Sequence, residues 1–89
     1  MRIKEGFVLR EVCGEKVVMG EGLKTINFSK MIHLNETAAF LWSKLQGIEF
    51  DTEMMASLLC AEYEVSEELA LADSKALADK LIEAGVMER

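Results

Sequence analysis

The chain has no proline, so none of its 89 residues is forced out of helix or sheet by a missing backbone N–H. Histidine occurs once and cysteine twice, which removes most of the material for side-chain chemistry. Catalysis needs a nucleophile beside a base, paired carboxylates in a cleft, or a metal cluster. His33 falls on the polar side of an alternating stretch and has no Cys, Asp or Glu at ligand spacing, so it reads as a surface or edge residue. Neither Cys13 nor Cys60 has a second cysteine two residues away, and the two read as reduced and unliganded. Cys60, among Leu58, Leu59 and Ala61, behaves as a small hydrophobe, and Cys13 sits exposed in a turn. Gly20 and Gly22 lack the lysine and helix start that a phosphate-binding loop uses. We expect no catalytic residue, no metal and no cofactor.

Long apolar runs and positive charge are also scarce. No stretch approaches the roughly 18 apolar residues of a membrane span, and no basic segment precedes an apolar one at the start, so the expectation is a cytoplasmic protein without membrane contact. Ten Lys and Arg against sixteen Asp and Glu give a net charge of −6, which disfavours phosphate backbones and anionic membranes. The partners expected are neutral, basic or hydrophobic. A chain of 89 residues buries roughly two thirds of its unfolded surface in one core, so residues 1–89 read as a single domain.

What is present is a change of period at Asn35. Before it, Ile26, Phe28, Ile32 and Leu34 share one strand face, and Asn27, Ser29, Met31 and His33 share the other. After it, Ala38, Leu41, Trp42 and Leu45 recur at helical spacing and predict a buried stripe. Asn35 can accept from an orphaned N–H, and Glu36 suits the positive end of the helix. Upstream, Gly6 to Val12 and Lys16 to Met19 read as a hairpin turning at Gly14, and a third strand falls within Thr25 to Leu34, bent at Ser29-Lys30. Downstream, a second helix starts at Asp51 or Thr52 and runs to about Tyr63, with Met55, Leu58, Leu59 and Tyr63 inward. Ser66 caps a third helix, and Gly47 and Gly85 stand where left-handed C-terminal caps are expected. Strands followed by helices predict an α+β domain, winged helix-turn-helix-like, with a three-stranded antiparallel sheet followed by a three-helix bundle.

The helices joined through Glu62 to Ser66 have helix-turn-helix spacing, so a winged-helix DNA-binding regulator is the alternative reading. The third helix opposes it, carrying Glu67, Glu68, Asp73, Asp79 and Glu83 against Lys75 and Lys80. On that helix Leu77 and Leu81, with Ala70, Asp73 and Ala84, form the stripe expected to pack inward. Leu71, Ser74, Ala78 and Ile82 form a second stripe, small in the middle, that reads as a shallow groove. A third strand at the sheet edge beside it would invite an extended peptide to add as another strand.

Leu34-Asn35-Glu36-Thr37-Ala38-Ala39, Leu41-Trp42, the Tyr63 to Val65 turn, Asp73, Leu77, Leu81 and Ala84-Gly85-Val86 together resemble the PqqD family. Its members serve pyrroloquinoline quinone biosynthesis and related pathways that modify ribosomally made peptides. The resemblance implies a non-catalytic chaperone that holds the leader of a precursor peptide for a radical S-adenosylmethionine enzyme. The acidic charge separately argues against nucleic acid, and exposed strand edges in so small a domain permit a monomer or a strand-exchanged dimer. It places peptide contacts at Met31, Ile32 and His33 on the strand and at Leu71, Ser74, Lys75, Ala78 and Ile82 on the helix.

Overall fold

The computed structural model describes residues 1–20 and 31–89. Cys13 and Gly14 both take positive φ (53° and 80°), a two-residue turn whose twist matches that of paired strands. It folds β2 (Phe7–Val12) back on β3 (Glu15–Gly20), with Val12 opposite Glu15 and Phe7 opposite Gly20. β3 then pairs antiparallel with β4 (Ile32–Leu34), Val17 opposite His33, giving the sheet order β2-β3-β4. The expected third strand is thus found at its C-terminal end, while positions 25–30, including the bend at Ser29-Lys30, lie outside the described residues. Ile32 is half-buried and Leu34 buried, and Met31 and His33 are exposed, as the alternation predicts.

Three capped helices follow. The Asn35 side chain accepts from the Ala38 N–H at 2.8 Å and opens α1 (Glu36–Leu45). Asp51 accepts from the Met54 N–H at 2.8 Å and opens α2 (Thr52–Glu62). Ser66 accepts from the Leu69 N–H at 3.2 Å and opens α3 (Glu67–Glu83). α3 ends where Gly85 turns left-handed (φ 84°), with the Val86 N–H on the Leu81 carbonyl and the Gly85 N–H on that of Ile82. That reversal sends β5 (Met87–Glu88) back to pair with β1 (Arg2–Ile3), a two-stranded sheet that the sequence pattern does not reveal. The α+β architecture of a three-stranded antiparallel sheet and three helices is the expected one.

One apolar cluster joins these parts, from Ile3 and Val18 through Leu41, Trp42, Leu45, Met55 and Leu59 to Leu81 and Val86. α3 meets it with Ala70 and Leu81, as expected, but the rest of the buried stripe differs. Ser74 and Ala78, read from the sequence as the floor of an exposed groove, are 0% and 2% exposed, and Ala70 is buried with them. Asp73, read as inward, is exposed, and Leu77 is only half-buried. The reason is steric. α3 packs along α2, with Ala78 and Thr52 lining one depression and Leu71, Ala56 and Cys60 another. A row of small side chains at i, i+4 and i+8 lets two helix axes approach closely, so the low-volume stripe is the packed one.

Three substitutions test this packing. Trp42, 2% exposed, should cost about 3–5 kcal/mol when replaced by alanine, read by denaturant unfolding. A loss below about 0.5 kcal/mol would place the ring outside the core. Ala78→Trp should lower the melting temperature sharply or prevent folding, because Ala78 is 2% exposed and an indole there must displace its packed neighbours. Ser74→Ala should be neutral or stabilising, since the buried Ser74 hydroxyl has no hydrogen-bond partner among the described residues. A well-folded Ala78→Trp variant would return that face to solvent.

Candidate functional site

β4 has β3 on one edge and, among the described residues, no strand on the other. The outer edge looks toward α3. The Lys80 ammonium donates to the His33 carbonyl at 3.4 Å, which fixes the direction in which that carbonyl points. In an antiparallel strand the N–H and C=O of one residue lie on the same edge, so the His33 amide also faces α3. This is a backbone pair available to an incoming strand.

Between this edge and α3 runs a groove of about 450 Å³. His33, Leu34 and Asn35 form its strand wall, and Asp73, Ala76, Leu77 and Lys80 form its helix wall. The last four recur at i, i+3, i+4 and i+7 and so lie on one face of α3. Ala38 and Leu41 of α1 and Leu59 of α2 supply an apolar floor. A carboxylate and an ammonium thus flank an apolar trough beside an open strand edge, an arrangement suited to holding an extended chain rather than to bond-breaking chemistry.

On its other side His33 meets a second depression of about 420 Å³, shared with Gly14, Glu15, Lys16 and Glu36. The His33 Nδ1 lies 3.3 Å from Glu15 Oε2, with both side chains well exposed, so the pair contributes little stability. Glu15 is a neighbour that linear spacing does not reveal, because the strand register makes it one. Among the described residues no three His, Cys, Asp or Glu side chains gather as a metal site, and no helix is long and apolar enough to cross a membrane. At the α1–α2 junction, Tyr63 meets Phe40 edge to face with ring centres 5.7 Å apart. Burial, then the Glu36 carboxylate, then that of Glu62 raise the Tyr63 phenol above its ordinary pKa.

The residues expected to touch a peptide do not all converge. Met31, Ile32 and His33 lie together in and beside β4, and His33 lines the groove. Leu71 opens instead into a depression of about 500 Å³ between α2 and α3, with Ala56 and Cys60. Lys75 faces another, of about 410 Å³, beside Met1, Asp51 and Arg89. Ser74 and Ala78 are in the core, and Ile82 is half-buried against it. The helix wall of this groove is Asp73, Ala76, Leu77 and Lys80, and among the described residues His33 alone of those expected to touch a peptide lines it. Asp73 and Leu77 already stood together in the stripe read as inward, and extending that spacing by Ala76 and Lys80 would have found the groove.

Several comparisons bear on this geometry. A family model described as coenzyme PQQ synthesis protein D (PqqD) matches residues 15–87. No curated protein matches the chain. Among solved structures, the fold is similar to that of TbiB1 in complex with the TbiA(beta) leader peptide, at 22% identity and a TM-score of 0.73, covering 99% of this chain and 95% of that one. It is also similar to lasso peptide synthetase B1 complexed with the leader peptide, at 24% identity and a TM-score of 0.72, covering 99% of this chain and 96% of that one. At those identities the likeness speaks for the fold. The family match runs from β3 through β5 and takes in β4, the capping Asn35 and all three helices, and on that match the chain belongs to the PqqD family.

Proposed function

We propose that this protein is a non-catalytic peptide chaperone: it captures the leader of a ribosomally made precursor peptide as an added strand on β4 and presents it to a radical S-adenosylmethionine maturation enzyme. The observation that carries the reading is the outward-facing backbone of His33, set across an apolar-floored groove from α3 in a chain of the PqqD family. Membership points to pyrroloquinoline quinone biosynthesis or a related peptide-modifying pathway. Two proteins of similar fold are described with leader peptides bound, which supports the same kind of ligand here.

The mechanism is strand addition. Backbone hydrogen bonds to the β4 edge supply affinity that tolerates many sequences, and alternate side chains of the peptide descend toward Leu41, Leu59 and Leu77 and supply selectivity. A flexible leader loses conformational freedom on docking, so affinity is lower per unit of buried area than for a rigid partner, and release to the enzyme is correspondingly easy. The same edge admits strand exchange with a second copy, and the protein is expected as a monomer or such a dimer. The DNA-binding alternative is disfavoured by α3, where Glu67, Glu68, Asp73, Asp79 and Glu83 are all exposed.

Calorimetric titration with the leader of a short peptide encoded beside this gene tests the reading. Ala76 is exposed and lines the groove, so Ala76→Trp should fill it at little cost to the melting temperature and weaken binding by at least roughly ten-fold. Unchanged affinity in that variant, or no heat of binding for the parent chain with this or any neighbouring leader, would sink the proposal.

A further inference from the structure

We propose that Lys80 is a specificity-determining residue that selects leader peptides carrying an acidic side chain at one fixed position, and so sets their register on β4. The inference rests on the groove reading above. Among the described residues Lys80 is the one lysine or arginine lining the groove, and its exposed ammonium reaches across to the His33 carbonyl at 3.4 Å. That carbonyl is an acceptor an added strand would use. When a peptide N–H takes it, the ammonium is left beside a groove from which water is being displaced, with two or three of its donors unspent. A carboxylate on the adjacent peptide residue answers that charge, and a neutral side chain does not.

Asp73 makes the selection directional. It lines the same groove seven residues away, about 10.5 Å along the helix. A leader that slides along β4 or docks reversed carries its carboxylate toward Asp73 and is repelled. Strand addition through backbone bonds alone specifies register weakly, because neighbouring registers make equivalent bonds. The Lys80 and Asp73 pair breaks that equivalence. With a net charge of −6 the chain as a whole does not attract acidic peptides, so the preference comes from this local ammonium.

The experiment is selection from a displayed library of random short peptides on the full chain, on K80R and on K80E. Lys80 is exposed, and circular dichroism melts check that each variant folds. Peptides from the parent chain and K80R should share an Asp or Glu at one position, and K80E should instead enrich Lys or Arg at that position. For a selected binder, replacing its acidic residue by the amide should weaken binding to the parent chain by roughly five-fold and leave binding to K80A unchanged. Binders that Ala76→Trp displaces, but whose composition K80E does not alter, would overturn the role of Lys80 while leaving the groove intact. Binders indifferent to Ala76→Trp would overturn the groove reading and this inference with it.

Discussion

The hydrogen bond from the Ala38 N–H to the Asn35 side chain, 2.8 Å long, is the joint on which the site depends. β4 ends at Leu34 and α1 begins at Glu36, so a single residue separates strand from helix. Asn35 turns the chain with extended backbone (φ −74°, ψ 177°) and satisfies an orphan donor of the new helix. Such a cap contributes about 1 kcal/mol to stability, yet its larger effect is geometric. With no slack at the joint, burying Leu41 and Trp42 of α1 also fixes where β4 lies, and with it the direction of the His33 carbonyl.

The opposite wall of the groove depends on small side chains rather than large ones. Ala70, Ser74 and Ala78 are buried, and α3 lies along α2. That contact turns the next face, with Asp73, Ala76, Leu77 and Lys80, toward β4. Ala76 leaves the trough open, Leu77 gives it an apolar side, and the two charges mark its walls. The core and the recognition surface are thus adjacent stripes of one helix. A substitution two positions away, at 78 instead of 76, changes from blocking a ligand to disrupting the fold.

Much of this was legible in the residues and some was not, for identifiable reasons. The switch of period at Asn35, the caps at Asp51 and Ser66 and the left-handed glycines at 47 and 85 all express local backbone chemistry, which sequence carries directly. β1 and β5 are two residues each, too short for periodicity, and they pair across nearly the whole chain. On α3 Ala70 and Leu81 are buried as expected, while Ser74 and Ala78 are not where apolar weight places them, because alanine and serine weigh little in such a ranking although both are buried here. Lys80 reads from the sequence only as one of two cations on an acidic helix and Asp73 as an inward residue, whereas the fold sets both on the groove wall that faces β4. The proximity of Glu15 to His33 arises from strand register alone.

All of this converges on one amide. Hydrogen exchange at the His33 N–H, followed by NMR with and without a saturating leader peptide from the neighbouring gene, tests directly whether the outer edge of β4 receives a strand. If it does, that amide exchanges freely in the free protein and becomes strongly protected in the complex, while amides of β2 are unchanged. Equal exchange at His33 in both states, with the peptide demonstrably bound, would mean that the leader docks elsewhere and that the open edge of β4 is not its site.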